Sequence, residues 1–431
     1  MKKILMISYY YPPLDDVGAL KSLGFSKNLP DFGWEPHVLT IKNPDSSYCL
    51  VGNSLQPNNT IVFYSRSLFN LNRVVWKING LIKLFLKVIG KDLKKNIFHD
   101  LICIPDVFIG WIIPCFLRGL YLSKKIGINV IYVSCRPFSS ALTGVLLKKV
   151  LKKPLILDFR DPMSFPYIDF DNDKLGKFRH RLIKNIERYT LKNADRFIVT
   201  TDETRNEYLS LYPFLKGKID RIYNGFLMEI KISDDNPTFD KFTIIYVGNF
   251  YYSSISSDKF FLALQKIVAN KLIPQTKFVF LYLGGINKKN NWLEKVGHKY
   301  NITDIIVAPG QVSREESLQA ISKASLLLLR IIPPCISTKL YEGLVVGTPF
   351  LATIDKGEVE ELIREYSPHS YIITSDNVDD IVNAIIDAYH KWEKGELRKI
   401  VSQEYLESFN KKELTKELAK ILEEIYLVNT L

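Results

Sequence analysis

Several features that define large protein classes are missing from this sequence. The five cysteines are scattered along 431 residues and form no CxxC pair, so we expect neither a disulfide framework nor a zinc site. This cysteine usage fits a protein of the reducing cytoplasm. The longest uncharged apolar run, at 107–117, contains a proline and is shorter than the roughly 20 residues that span a bilayer. The apolar run near the N-terminus is also short, and it predicts a first strand better than a signal peptide.

The signatures of the common nucleotide-binding enzymes are missing as well. No GxGxxG follows the first predicted strand, and no GxxxxGK(S/T) occurs. Both motifs hold phosphate on glycine-rich backbone ahead of a helix. Their absence disfavours an ordinary dinucleotide dehydrogenase and a P-loop ATPase.

The composition is that of a folded, basic protein. Hydrophobic residues make up 47% of the chain and charged residues 24%, which predicts a globular protein, and the length favours two domains. Lysine and arginine number 58 against 46 acidic residues, a net charge of +12. That excess suits anionic partners, but it does not choose among nucleotide phosphates, acidic lipid and nucleic acid.

Short apolar runs alternate with helical patterns along the whole chain. They lie at 3–8, 37–41, 129–134, 154–159, 195–200, 242–248, 277–285, 304–310, 325–331 and 349–354. Uninterrupted apolar strands between helices are typical of parallel sheets covered on both faces, so we predict an α/β fold. The polar segment 231–241 predicts a linker, which gives an N-terminal domain at 1–235, a C-terminal domain at 236–400 and closing helices at 401–431.

Two helix starts are candidates for binding phosphate. After the first strand, Gly18 would let the backbone approach a ligand closely, although an ordinary turn between strand and helix explains it as well. In "STKLYEGLVVGTPFLA" at 337–352, Ser337 or Thr338 is a candidate N-cap. Lys339 then falls in the first helical turn, where a cation is unfavourable unless it meets an anion.

Glu342 lies three residues after Lys339, on nearly the same helix face. Its carboxylate can accept hydrogen bonds from the vicinal hydroxyls of a ribose. The alternative is a surface Lys–Glu pair, which is common on any helix. Spacing alone leaves both interpretations open.

The stretch "STKLYEGLVVGTPFLA" at 337–352 resembles the donor-site motif of family 4 retaining glycosyltransferases. The other pieces that agree with that family, in order along the chain, are "ISYYYPPLDDVGALKSLGF", "IPDVFIGW", "SCRPFSSALTGVLLKK", "LDFRDP", "ERYTLKNADRFIVTT", "IYNGF", "IIYVGNFY" and "GQVSREESLQAISKASLLLL". The resemblance implies the GT-B fold, in which two Rossmann-like domains with parallel sheets face each other across a deep cleft. It also implies transfer of a sugar, a hexose for example, with retention of configuration.

The resemblance also implies roles for particular residues. Glu342 would bind the donor ribose, and Lys339 with the helix start at Ser337 and Thr338 would hold the diphosphate. The other donor-binding residues would be Gly18, Gly248 and Asn249, and Arg160 and Asp161 would act on the acceptor side, with Lys339 stabilising the leaving group. Asp161 is equally well explained as a turn residue or helix cap before Pro162. Fixed N–H groups and Lys339 could stabilise the leaving diphosphate without a metal, so we expect neither metal nor cofactor.

Three positions depart from the family pattern. Pro334 stands where many relatives carry a first glutamate, and Ala141 where relatives often carry histidine. The arginine and lysine that relatives place after the first donor-domain strand are not evident in "GNFYYSSISSDKF". These departures predict altered specificity or loss of activity.

Residues 66–125 are strongly basic, with eleven lysines and arginines against Asp92, Asp100 and Asp106. Lys83, Lys87, Lys91 and Lys94 have helical spacing, and the apolar residues among them are Trp76, Leu81, Leu84, Phe85 and Val88. A basic amphipathic helix can bind an anionic membrane, where a lipid-linked acceptor would be found. A solvated basic face is the alternative, and no recognised module supports nucleic acid.

We therefore expect a cytoplasmic glycosyltransferase at the inner face of the membrane. It would use a nucleoside diphosphate sugar, such as a UDP-sugar, and a saccharide or lipid-linked acceptor in bacterial capsule, O-antigen or exopolysaccharide synthesis. A nucleotide-sugar epimerase of the same fold and a catalytically silent membrane-bound partner are the alternatives.

Overall fold

The structure is a computed structural model that describes residues 1–14, 16–44, 60–69, 71–88, 103–164, 174–227, 238–250, 255–285, 291–331 and 334–430. The chain divides into two compact units. The first comprises Met1–Leu227 and Lys411–Leu431, and the second comprises Met228–Asn410. The boundary predicted near residue 236 lies outside the described residues.

Seven parallel strands form the sheet of the first unit. They are β1 (Lys2–Ser8), β2 (Trp34–Ile41), β3 (Ile61–Ser65), β4 (Val130–Cys135), β5 (Leu155–Phe159), β6 (Arg196–Val199) and β7 (Ile219–Arg221), in the order β3-β2-β1-β4-β5-β6-β7. Every residue of β4 and β5 is buried, because helices cover both faces of the sheet. Leu5 of β1 lies in register with His37 of β2 and Ile131 of β4.

Helices surround this sheet. Those described are Ala19–Asn28, Leu71–Val88, Ile112–Ile126, Ser139–Leu151, Lys174–Asn193, Asp202–Leu211 and Lys411–Thr430. The last of these confirms the predicted amphipathic closing helix, since Leu414, Leu418 and Leu422 are buried in the core that also contains Trp34. The Trp34 indole donates a hydrogen bond to Glu423 Oε1 at 2.9 Å, so the end of the chain belongs to the first unit.

Six parallel strands form the sheet of the second unit. They are β8 (Phe242–Val247), β9 (Phe278–Leu283), β10 (Ile306–Val307), β11 (Leu326–Arg330), β12 (Phe350–Thr353) and β13 (Tyr371–Ile373), in the order β10-β9-β8-β11-β12-β13. The helices described in this unit are Ile255–Ala269, Trp292–Tyr300, Arg314–Lys323, Thr338–Val346, Glu358–Tyr366, Val378–Glu393 and Gln403–Ser408. Both sheets reverse their strand order next to their first strand, as in doubly wound folds.

The predicted α/β class and the predicted apolar strands are confirmed, because every predicted run contains a strand. Three strands were not predicted: β3, β7 and β13. All three lie at a sheet edge. Two of them, β7 and β13, have only three residues, too few for the continuous apolar run that marks an inner strand. The third, β3, has an apolar run at 61–64 that the sequence analysis missed.

Candidate functional site

The predicted donor-binding residues of the second unit come together at one point of its sheet. Strands β8 and β11 are neighbours, and the chain leaves them in opposite directions along the sheet. Gly248 and Asn249 directly follow β8, and the helix Thr338–Val346 follows β11. Ligands of doubly wound sheets bind at such a switch point, beyond the carboxyl ends of the strands.

The helix Thr338–Val346 begins as the sequence predicts. Ser337 is the N-cap, and its Oγ accepts a hydrogen bond from the Lys339 backbone N–H at 3.3 Å. Val345 and Val346 are buried, and Gly347 ends the helix in the left-handed conformation, at φ 74°. The predicted cap and the inward packing are confirmed, and Lys339 stands in the first turn.

The Lys339 ammonium contacts the aromatic side chain of Tyr246. Its Nζ donates to the Tyr246 hydroxyl at 3.0 Å and lies 4.3 Å from the centre of the Tyr246 ring. Burial and, to a smaller extent, the positive charge of Arg330 lower the pKa of Lys339, the charge of Glu342 opposes both, and the resulting pKa is about 8. The ammonium is therefore a cation that a bound anion would stabilise.

Gly248 lies next to that lysine. It has φ 86°, and a Cβ there would lie 3.4 Å from Lys339 Cε. A Cβ at Gly284, after β9, would lie 2.3 Å from the Gly248 carbonyl oxygen. The carbonyl of Asn249 accepts from the Tyr246 hydroxyl at 3.0 Å. Glycines thus allow the loops after β8 and β9 to approach each other beside Lys339.

Glu342 is held by a residue that sequence reasoning did not assign. Its Oε1 accepts from Arg314 Nε at 2.9 Å, and the residue is 8% exposed. Arg314 is the first residue of its helix, which a capping box between Ser313 and Glu316 begins. The capping pattern is visible in the sequence, but it does not show that Arg314 reaches a carboxylate on another helix. The surface Lys–Glu pair does not fit, because Glu342 is buried and pairs with Arg314.

Gly18, Arg160 and Asp161 belong to the first unit, where loops follow β1 and β5. Gly18 has helical backbone angles, and a Cβ there would lie 2.6 Å from Arg160 Nη1. The close approach expected at Gly18 is therefore made within the structure by the Arg160 guanidinium. Asp161 Oδ2 forms an ion pair with Arg136 Nε at 3.0 Å.

A buried carboxylate supports the chain just after Asp161. Glu187 is fully buried and accepts from the hydroxyls of Tyr208 at 2.7 Å, Tyr212 at 2.9 Å and Ser164. The Tyr208 hydroxyl in turn accepts from the Met163 backbone N–H at 3.2 Å. This network was not predicted, since it joins residues that are far apart in sequence.

The basic segment is only partly described. Helix Leu71–Val88 exposes Leu81, Leu84 and Phe85, at 68%, 65% and 67%, and Lys83 is exposed as well. Lys91 and Lys94 lie outside the described residues, as do the side chains of Trp76, Lys87 and Val88. In the described part of the chain, none of the helices is both long enough and apolar enough to cross a membrane.

A second exposed apolar row follows in the helix Ile112–Ile126. Ile113, Leu117 and Tyr121 repeat every four residues and are each more than half exposed. Val75 of the helix Leu71–Val88 packs in a small core with Cys103, Val107 and Ile109, which precede the helix Ile112–Ile126 in the chain. We call these two rows the apolar–basic face: Leu81, Lys83, Leu84, Phe85, Ile113, Leu117, Arg118, Tyr121, Lys124 and Lys125.

Two protein-family models match this chain one after the other. The model of Glycosyltransferase Family 4 matches residues 94–227, and that of Glycosyl transferases group 1 matches residues 241–391. A comparison with curated proteins by sequence finds no match.

Solved structures match over almost the whole chain. Sucrose-phosphate synthase from Thermosynechococcus elongatus is 16% identical with a TM-score of 0.68, covering 99% of this chain and 100% of that one. HepE from Anabaena in complex with UDP is 11% identical with a TM-score of 0.66, covering 98% and 100%. WaaG, a glycosyltransferase involved in lipopolysaccharide biosynthesis, is 12% identical with a TM-score of 0.61, covering 97% and 99%.

At these identities the structures show the shared fold, and the two family models cover about half of the first unit and most of the second. The predicted family and fold are thereby confirmed. The chain is a glycosyltransferase of the GT-B fold that belongs to family 4 in its N-terminal segment and to group 1 in its C-terminal segment.

Proposed function

We propose that this glycosyltransferase transfers a sugar from a nucleoside diphosphate sugar to a saccharide or lipid-linked acceptor. The acceptor is part of a bacterial capsule, O-antigen or exopolysaccharide. Lys339 and the N–H groups at the start of its helix bind the diphosphate, and Glu342 binds the ribose hydroxyls. Gly248 and Asn249 border the diphosphate.

One observation carries this proposal. Lys339 is a half-buried cation at a helix start, at the switch point of its sheet, and its pKa is lowered to about 8. Burial of a cation there is unfavourable in the free protein, and a bound diphosphate would offset it. Among the described residues, no carboxylate forms an ion pair with Lys339. HepE, whose fold this chain shares, was solved with UDP bound, which supports UDP as a first candidate.

The donor is tested by calorimetric titration with UDP, GDP and their sugar conjugates. We expect at least one of them to bind, and Glu342→Ala to weaken it about tenfold through loss of a charged acceptor. The matched control is Glu360→Ala, which removes the ion-pair partner of Arg364 on the helix Glu358–Tyr366. Binding that survives Glu342→Ala unchanged would refute the ribose assignment.

The chemistry we propose needs no metal. As the bond between sugar and diphosphate breaks, negative charge develops on the leaving group, and Lys339 with the fixed N–H groups stabilises it. Arg160 and Asp161 act on the acceptor, and the sugar keeps its anomeric configuration. Turnover should persist in EDTA, and NMR of the product should show the anomer of the donor. An inverted product, or activity restored only by a divalent cation, would refute these points.

An epimerase and a silent binding partner remain the rival functions. Conversion of the donor sugar without any acceptor would identify an epimerase. Failure to bind every nucleoside diphosphate would identify a silent partner.

We further propose that the apolar–basic face binds an anionic bilayer and places the enzyme at the inner face of the cell membrane. Exposed leucine and phenylalanine beside lysine and arginine suit the boundary between headgroups and acyl chains. WaaG, which shares this fold, is involved in lipopolysaccharide biosynthesis, which supports an acceptor of surface-polysaccharide type.

Vesicles test the membrane proposal. Binding to vesicles rich in phosphatidylglycerol should weaken at high salt. It should also fall with the triple variant Lys83→Ala, Lys124→Ala and Lys125→Ala, three lysines of this face, at about 1 kcal/mol for each lysine. The control removes three lysines of the second unit: Lys266, Lys277 and Lys295. Equal binding by both triple variants would sink the proposal.

A further inference from the structure

Arg330 is a cation at the candidate donor site that the sequence did not single out. It is the last residue of β11, in register with Thr353 of β12. Its position at the carboxyl end of the strand next to β8 places it at the same switch point as Lys339. It is therefore on the edge of the sheet where a donor would bind.

Arg330 and Lys339 share one aromatic cluster. The guanidinium carbon Cζ of Arg330 lies 4.5 Å from the centre of the Phe250 ring. The Phe250 ring centre lies 4.7 Å from that of Tyr246, and Tyr246 carries the ammonium of Lys339. Two cations thus lie on two touching rings, each facing a ring in cation–π geometry.

The two charges act on each other. Burial comes first among the causes that lower the pKa of Lys339, and the charge of Arg330 comes second. Arg330 also acts against the burial that raises the pKa of Tyr246 to about 12. Like charges repel each other, and an anion of two or more charges that binds between them would attract both.

We propose that Arg330 is the second diphosphate-binding cation of this enzyme and contacts the nucleoside diphosphate together with Lys339. This inference rests on the donor function proposed above. The planar guanidinium can donate two parallel hydrogen bonds to one phosphate group, which an ammonium cannot do. Arg330 thereby supplies, from the end of β11, a second positive charge near that of Lys339.

If the role of Arg330 were only structural, its guanidinium would simply pack on the Phe250 ring. The structural role and the phosphate-binding role predict different nucleotide affinities for variants of Arg330. Titration calorimetry with UDP should show affinity reduced about 10- to 100-fold in Arg330→Gln. The affinity for uridine, which has no phosphate, should stay within about twofold of wild type. Arg330→Lys keeps the charge but cannot make a bidentate contact, so its UDP affinity should lie between those of Arg330→Gln and wild type. Arg364→Gln, in an exposed pair with Glu360, is the control and should bind UDP as wild type does.

The pH dependence of UDP affinity is a second measurement, and Arg330→Gln would leave it unchanged if the role of Arg330 were only structural. Without the neighbouring charge the pKa of Lys339 rises, so UDP affinity in Arg330→Gln should begin to fall at a higher pH than in wild type. UDP affinity within twofold of wild type in Arg330→Gln, with an unchanged profile, would overturn the inference. If Arg330→Gln does not fold by circular dichroism, wild-type affinity in Arg330→Lys overturns the bidentate contact.

The failure of this inference can be separated from that of the donor function. If wild-type protein binds none of UDP, GDP and their sugar conjugates, the proposed function fails and the role of Arg330 fails with it. If UDP binds and Lys339→Met abolishes binding while Arg330→Gln does not weaken it, only the role of Arg330 fails.

Discussion

Each unit of this protein places a lysine in the first turn of a helix that follows a central strand, and the two lysines have different surroundings. Lys21 lies in the helix Ala19–Asn28 after β1, and Lys339 lies in the helix Thr338–Val346 after β11. Lys21 Nζ donates to Asp158 Oδ1 at 2.9 Å and to the Ile222 carbonyl at 3.1 Å. Lys339 donates to a tyrosine hydroxyl and has Arg330 as a neighbouring charge.

This difference indicates a structural role for Lys21 and, on our proposal, an anion-binding role for Lys339. Lys21 is 2% exposed, its partner Asp158 is fully buried, and the Tyr132 hydroxyl also donates to Asp158. Burial lowers the pKa of Lys21, and the charge of Asp158 opposes that effect. The first unit thus supplies its own counter-charge, whereas the second leaves that task, on our proposal, to the diphosphate.

The largest effect is expected when the structural pair is broken. Lys21→Met leaves Asp158 charged and buried, and should destabilise the first unit by about 3–5 kcal/mol. Urea unfolding followed by circular dichroism measures the loss. The double variant Lys21→Met, Asp158→Leu should recover most of it, because no buried charge remains. A single variant as stable as wild type would contradict the structural role of Lys21.

Replacement of lysine by methionine in the second unit should have the opposite effect: it should weaken UDP binding without lowering stability. Lys339→Met removes a cation whose burial is unfavourable, so the midpoint of urea unfolding should not fall. UDP affinity, measured by titration calorimetry, should fall about 100-fold through loss of a charged hydrogen-bond donor. The matched control is Lys391→Met, which breaks an exposed pair with Asp387 in the same unit. A destabilised Lys339→Met that still binds UDP would erase the contrast between the two lysines.

The pH dependence of donor binding sharpens the comparison. The pKa of Lys339 is about 8 in the free protein, and a diphosphate favours the charged form, so the pKa rises on binding. Below pH 8 the lysine is already charged and its contribution to UDP affinity is constant. Above pH 8 binding must take up a proton, so affinity falls by up to about tenfold per pH unit.

Lys339→Arg is the control for that profile, because a guanidinium stays charged throughout this range. Any decline that persists in Lys339→Arg belongs to other groups, including the nucleotide base. The same decline in both proteins would exclude Lys339 as its source.

The smallest effect is expected at Arg314, which acts through Glu342. Arg314→Gln should weaken UDP binding about three- to tenfold, because the carboxylate loses the contact that orients it. The loss should be smaller for 2′,3′-dideoxy-UDP, which lacks the hydroxyls that Glu342 would accept. Arg364→Gln is again the control. Equal losses for both nucleotides would mean that Arg314 does not act on ribose binding.

Local patterns were enough for much of the fold and part of the site. Continuous apolar runs predicted the inner strands, since a parallel strand is buried on both faces. Ser337 as N-cap and Lys339 in the first turn followed from helix-end chemistry. The edge strands β7 and β13 were missed because three residues are too few to show that pattern, whereas β3 was missed although its residues 61–64 are apolar.

The sequence by itself therefore determined the α/β class, the inner strands, the closing helix and the start of the helix that carries Lys339 and Glu342. Only the tertiary structure decided which charged and polar side chains meet. The pairs Arg314–Glu342, Tyr246–Lys339 and Lys21–Asp158 join residues 28, 93 and 137 positions apart. Helix and strand periodicity report neighbours within a few residues, whereas contacts at these separations depend on the order in which strands assemble into a sheet.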